Sequence, residues 1–564
     1  MAVPLTLTGL TNLSPISSIL LLLTCYLLVK LLLVGRRPSN LPPGPRTLPI
    51  LGNLHQMPGP HKIYKSFQDL GKKHGDIYTL MVGSSPLIMI QSPKIAKDLL
   101  DKRGANYSSR PSLYIFNEIA SRGLRPVAMP YSPTWKMVHR INHNILNAKV
   151  SRAYGPYQTL ESRQMLVDIL DDGAQYKRHL QRFSNSISCQ MVYGFRTLSW
   201  DDPRLQSVVQ IFEEVCDLGV SIPAQMMDCY PILQRIPRSL LPVARAGMDI
   251  ERRTTELFLE RWLEGKKKTL DGSIMPCHAA ALTGVQKEEG FSDEFASYLA
   301  GDIVEAGSST TADQMLGFLM AMVTHPDVQK QAQQEIDAVV GRDRLPTLDD
   351  YDSLPYVRGC LKETLRWVPS ITILIAHSPV KDDVYEGYKI PAGSSVILNV
   401  WALNMDPESF PDPRRFDPLR FKDETRSEHE IAVGNAGGLE DGKAPPRHNY
   451  LFGAGRRLCQ GIHTAERSLF LAMACMLWAF DISTPDPDKI DTEDLRGGLA
   501  AVPAPFECII KPRDEKRAEV VKREWQRMQD EFLDPVTKQW VRVPEDLKIK
   551  TYSGAESEGK EGKA

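Results

Sequence analysis

Phe452-Gly453-Ala454-Gly455-Arg456-Arg457-Leu458-Cys459-Gln460-Gly461 decides how the rest of this 564-residue chain is read. One cysteine sits among three glycines and two arginines, just ahead of a long apolar helical run. Backbone without Cβ atoms approaches a flat ligand closely. A cysteine beside cations and near a helix N-terminus is favoured as thiolate. The stretch therefore reads as a loop that offers a thiolate to a planar group. The alternative is a buried structural cysteine in a glycine-rich turn.

Composition narrows the classes. The chain is 42% hydrophobic and 24% charged, so it is globular with a large core. A net charge of −1 argues against a nucleic-acid binder. The nine cysteines are scattered with no C-x-x-C pair, which predicts reduced thiols and mostly ordinary core residues. Ile16 to Val34 is nearly all Leu, Ile and Val, long enough to span a bilayer. Lys30, Arg36 and Arg37 lie at or after its C-terminal end and no charged side chain precedes it. A cleaved signal peptide would carry its basic residues first, so a retained anchor is favoured. The positive-inside rule puts everything downstream in the cytosol.

Residues 1–35 are thus read as a lumenal tail with a transmembrane anchor, and 36–50, with Leu41-Pro42-Pro43-Gly44-Pro45, as a stiff hinge. Residues 51–512 form the catalytic domain and 513–564 a charged extension, with Glu515 to Glu531 a surface helix and the end disordered. Ile77 to Val82 and Leu87 to Ile90, joined by Gly83-Ser84-Ser85-Pro86, predict a hairpin. Helical periodicity dominates afterwards, including Leu160 to Leu170 and Leu205 to Val220. The longest helix starts at the N-cap Ser292 and runs to Thr324, where His325-Pro326 stops it. Further helices cover Asp327 to Val340 and Leu354 to Val368.

The cysteine loop resembles the haem-binding signature of the cytochrome P450 family, F-x-x-G-x-R-x-C-x-G, with Phe452, Gly455, Arg457, Cys459 and Gly461 at its fixed positions. The resemblance implies a mainly α fold with a small β-rich region behind an N-terminal transmembrane helix. It implies haem b (iron protoporphyrin IX) with Cys459 as axial iron ligand. A thiolate in that position favours cleavage of dioxygen over mere carriage. The implied reaction is monooxygenation: dioxygen, two electrons and two protons give one oxygen atom in the product and one in water. No Rossmann fingerprint is present, so electrons come from NADPH through a partner reductase, with cytochrome b5 as a candidate second donor. The whole chain is most similar to filamentous-fungal P450s of secondary metabolism, on the cytosolic face of the endoplasmic reticulum membrane. A polyketide, terpenoid or alkaloid is then the expected substrate class. Apolar stretches at Leu113 to Met129, Val220 to Met227, Ile371 to Ile375 and Leu499 to Val502 fall where the family builds its substrate pocket.

Three further motifs follow in family order. Ala306-Gly307-Ser308-Ser309-Thr310-Thr311 is similar to the A-G-x-(D/E)-T of the oxygen pocket, and implies Thr310 as a proton-relaying hydroxyl with Ala306 on the same face. Glycine and β-branched residues suit a helix locally opened beside a ligand. The alternative is a Thr310 hydroxyl bonded back to the Ala306 carbonyl. Ser309 stands where the family has a carboxylate, leaving the proton source open; Asp302, two turns upstream, is a candidate that helix geometry sets off the Thr310 line. Glu363-Thr364-Leu365-Arg366 matches E-x-x-R, and Arg420 completes the implied ionic triad. For the haem propionates the resemblance offers Arg457, Trp135, Arg110 and His377, and either His139 or Arg140, because the W-x-x-x-R register is shifted by one. A Cys459–His463 nucleophile is unsupported, as is zinc. Two other uses of such a fold stay open here: a haem-thiolate isomerase or dehydratase without external electrons, and a non-catalytic haem sensor.

Overall fold

The computed structural model describes residues 15–59, 61–434, 447–497 and 500–549. Leu499, part of one expected pocket stretch, and the expected disordered end from residue 553 lie outside them.

Helix α1, Pro15–Leu33, has 19 residues, a mean hydropathy of 2.4 and no buried side chain, so it is long and apolar enough to cross a membrane. The proline-rich segment behind it is anchored rather than free. The Thr79 N–H donates to the Pro43 carbonyl at 2.7 Å. A Cβ on Gly44 would lie 2.0 Å from the Thr79 oxygen, so only glycine permits this approach.

Strands β1 (Ile77–Val82) and β2 (Ser85–Ile90) form the expected antiparallel hairpin, with a tighter turn at Gly83-Ser84 than the sequence suggests. Pro86 falls inside β2, opposite Met81. It is tolerated because pairing with the parallel third strand, β3 (Ser395–Leu398), begins only at Leu87. Together they make a three-stranded sheet in the order β1-β2-β3.

Helices supply the bulk. Those that position the site are α2 (Pro133–Leu146), α3 (Gly155–Asp171), α4 (Tyr176–Tyr193), α5 (Pro203–Val220), α6 (Pro242–Leu270), α7 (Asp293–Thr324), α8 (Pro355–Trp367) and α9 (Ile462–Ala479). The 32-residue α7 is about 48 Å long at 1.5 Å per residue. Ser292 caps it, its Oγ accepting from the Phe295 N–H at 3.1 Å. Helices α4, α6 and α9 pack along α7. Helix α9 is apolar almost all round, and the main core forms about it, with Phe183, Phe318, Leu361 and Leu471 fully buried.

The charged C-terminal extension is docked. Its helix α10 (Glu515–Phe532) buries Arg517, Val520 and Val521 against the core, and Trp540 beyond it donates from Nε1 to Gln190 on α4 at 2.6 Å.

Candidate active site

The cysteine loop is held by its own backbone. The Cys459 N–H donates to the Phe452 carbonyl at 2.8 Å, closing the turn. Gly455 has φ +61°, and a Cβ there would meet the Leu100 oxygen at 2.1 Å, while its N–H donates to Asp101 at 2.8 Å. That glycine serves loop-to-loop packing rather than approach to a ligand. Cys459 has accessible surface although protein surrounds it, because its side chain looks into a cavity of about 330 Å³.

The cavity wall joins the three sequence regions that matter. Phe452, Arg457, Cys459 and Gly461 come from the loop, Trp135 and His139 from α2, and Ala306, Gly307, Thr310 and Thr311 from α7, with Arg110 at the edge. Ala306 is exposed in the middle of a helix whose other faces are packed, so its surface too looks into this space.

Two findings correct the sequence-based picture of the thiolate. The loop cations do not face the sulfur. The Arg457 guanidinium lies over the Trp135 ring at 4.1 Å and donates to the carbonyls of Ser108 and Met129 at 2.8 and 2.6 Å. Arg456 reaches Tyr131. Burial pushes the Cys459 thiol above its ordinary pKa, and the Gly461 N–H beside Sγ is the one opposing influence. Coordination to a cation supplies the charge that deprotonates such a thiol.

The central helix is not opened. It is regular from Asp293 to Thr324, and the Thr310 Oγ1 donates to the Ala306 carbonyl at 2.9 Å while its side chain lines the cavity. Gly307 is explained by packing: a Cβ would sit 2.4 Å from the Ser188 Oγ of α4, and the Ser184 Oγ donates to its carbonyl at 2.6 Å. Ser309 does not belong to the wall; it is buried, and its Oγ has no hydrogen-bond partner among the described residues. Asp302 does line the cavity, contrary to the expectation that it lies off the Thr310 line.

The candidate propionate donors separate cleanly. Arg110 donates to the carbonyls of Val127, Ile375 and Ala376 at 2.8–2.9 Å and has no acidic partner among the described residues. Burial, with Arg457 nearby, lowers its pKa to about 9. Burial lowers that of Arg457 to about 10. Two half-buried guanidiniums thus stand at one cavity edge with carbonyls and, among the described residues, no carboxylate. His139 is on the wall, its ring 4.9 Å from Trp135. Arg140 points out and pairs with Glu289 at 2.5 Å, because one helical step turns it through 100° onto the surface. His377 is buried behind Arg110 rather than on the wall. Its Nδ1 bonds the Tyr107 carbonyl at 2.8 Å, and burial pulls its pKa down to about 3, so the ring is neutral.

The ionic triad forms away from the cavity. Arg366 grips Glu363 with two 2.7 Å hydrogen bonds, and the Arg420 Nε approaches the same carboxylate at 3.3 Å. The Asp417 N–H adds a 2.9 Å bond to Glu363, and Arg366 also donates to the Asn404 carbonyl. Sequence reasoning missed Gln460, whose Nε2 ties the loop to the His139 carbonyl at 2.9 Å, and Gln314 on α7. No motif marks either.

A thiol and two unmatched guanidiniums facing one cavity are the donor set a dianionic haem requires. This fold and site fit a haem-binding oxidoreductase. A sequence model described as Cytochrome P450 matches residues 42–510, and the chain belongs to the cytochrome P450 family. It is similar to Cytochrome P450 monooxygenase virE of Hypocrea virens, 43% identical over 94% of this chain and 95% of that protein. Cytochrome P450 monooxygenase fogE of Aspergillus ruber is also 43% identical, over 95% and 98%. Cytochrome P450 monooxygenase fsoB of Humicola fuscoatra is 37% identical over 96% and 99%. The protein is a haem-dependent P450 monooxygenase that uses dioxygen, a small-molecule substrate and a redox partner.

Proposed function

We propose that Cys459 would hold the iron of haem b through its sulfur and that the enzyme hydroxylates or epoxidises a lipophilic intermediate of fungal secondary metabolism. The observation that carries this is the shared cavity, which brings the Cys459 sulfur and the Ala306–Thr310 face of α7 to one space. Haem bound there supplies dioxygen activation.

The residues have distinct tasks. Arg110 and Arg457 would hold the propionates, exchanging neutral carbonyl partners for charge-assisted bonds. Trp135 holds the Arg457 plane by stacking, and His139 adds a neutral donor at the same edge. Thr310 bonds back to the Ala306 carbonyl, which leaves its hydroxyl oxygen free to accept from cavity water; passing a proton onward requires the hydroxyl to rotate off that carbonyl. Glu363, Arg366 and Arg420 brace the fold without touching the cavity.

Helix α1 anchors the enzyme in the endoplasmic reticulum membrane with its catalytic domain in the cytosol, where a membrane-bound NADPH reductase, assisted by cytochrome b5, supplies electrons. The test is incubation of membranes with reductase, NADPH and a panel of lipophilic metabolites, scored by mass spectrometry. A product one oxygen atom heavier that requires NADPH and reductase supports the reading. Turnover independent of both would replace it with an isomerase or dehydratase.

A further inference from the structure

One charged group on the cavity wall has no task in that mechanism. Asp302 precedes Ala306 by four residues and Thr310 by eight, so the three follow one slowly drifting face of α7. All three line the cavity, together with Pro126, Val127 and Ile303. Asp302 is the one acidic side chain among the described residues of the wall.

The neighbouring cation does not satisfy it. Arg125, 2% exposed, holds Glu305 with both terminal nitrogens, Nη2 reaching it at 3.2 Å and Thr254 at 3.5 Å. Asp302 is left with a 4.0 Å approach to Nη1 and has no hydrogen bond among the described residues. Burial and the Glu305 charge raise its pKa to about 7, against the pull of Arg125. A half-buried carboxyl without a protein donor is costly, and the cavity it faces is the place from which a donor can reach it.

We infer that Asp302 is a specificity-determining residue that accepts a hydrogen bond from a free hydroxyl of the substrate. The pocket then takes a lipophile with one O–H group held at Asp302, while a carbon further along is presented near Thr310. Eight residues at 1.5 Å each separate these points by about 12 Å along the helix. A hydroxyl fits better than a cation, because Asp302, with its pKa raised to about 7 and Arg125 4.0 Å away, does not carry a full negative charge at neutral pH. This assignment rests on the haem reading above and deepens it by naming the substrate class.

The test uses the full-length holoenzyme and a matched probe pair, a long-chain 4-alkylphenol and its O-methyl ether, with binding measured by equilibrium dialysis. The haem absorption spectrum of each preparation is recorded separately. Wild type is expected to bind the phenol about tenfold to a hundredfold tighter than the ether. Asp302→Leu should bind the two alike, with ether affinity within about threefold of wild type; Asp302→Ala stands in where leucine fails to fold. Equal affinities in wild type, or preference for the phenol retained in the variants, would overturn the assignment. Absence of a thiolate-haem spectrum in wild type would instead overturn the haem reading, which dialysis does not report.

Discussion

Arg366 is fully buried and Arg457 half-buried at the cavity edge, and the protein treats the two in opposite ways. Arg366 is bound to a carboxylate shared with Arg420 and to a backbone carbonyl, so its charge is matched within the chain. Among the described residues, Arg457 and Arg110 meet carbonyl oxygens and an indole ring and no carboxylate. The first cluster is complete as folded and belongs to stability. The second is one or two negative charges short, and belongs to something the cavity receives. Arg125 shows the reverse excess, with two carboxyls to one guanidinium.

The largest expected effect breaks the matched cluster. Glu363→Ala leaves Arg366 and Arg420 without their common acid, at a cost of about 3–5 kcal/mol. Thermal unfolding should fall accordingly and the purified protein should lack haem; a normal haem-to-protein absorbance ratio would refute the role given to Glu363.

The over-supplied arginine predicts a pH effect. The folded pKa of Asp302, about 7, lies above the ordinary carboxylate value, so its contribution to stability is present below about pH 4 and is lost as pH rises towards 7. At about 1.4 kcal/mol per pKa unit, the loss has an upper limit of ~4 kcal/mol. Asp302→Asn should be progressively more stable than wild type across that window and level with pH above it. A stability difference that does not change with pH would contradict the raised pKa.

Removing an unmatched arginine should separate two quantities that the matched cluster loses together. Arg457→Leu deletes a desolvated cation with no acid, so the haem-free protein should be unchanged in stability or slightly better. Haem affinity should drop by the worth of a charge-assisted bond, about 1.5–3 kcal/mol, read by haem transfer to an acceptor protein. Equal loss of both would place Arg457 with the structural arginines.

The smallest effect on the fold is expected at the proton relay. Thr310→Val keeps the shape and removes only the hydroxyl, so stability should move by less than about 1 kcal/mol. Product formed per NADPH consumed should nevertheless fall severalfold. Unchanged coupling would leave Thr310 as a helix back-bond and nothing more.

Sequence gave access to the frame because its signals are local. Ser292 and His325-Pro326 bound α7 by capping and by proline chemistry, and the structure ends the helix at the same residues. The short apolar run Ile77 to Val82, closed by the turn at Gly83, sets a strand for the same reason. What failed was partner choice, which depends on contacts distant in sequence. Gly307 and Gly455 read as ligand glycines, yet Ser188 and the Leu100 carbonyl are what exclude a Cβ there. Arg456 and Arg457 read as thiolate neighbours, but Tyr131 and Trp135 from another element draw them away. His139 and Arg140 could not be separated by motif, whereas the face of α2 separates them at once. The extension after Pro512 read as a solvated charged surface because its buried stripe, Val520, Val521 and Met528, is hidden among charges.

The account stands on Cys459, and the most direct measurement is the absorption spectrum of the reduced, carbon monoxide-treated protein beside that of Cys459→Ala. A red-shifted thiolate-type Soret band in wild type, absent from the variant, is the predicted result. A colourless, iron-free wild type, or the same band surviving in Cys459→Ala, would contradict it.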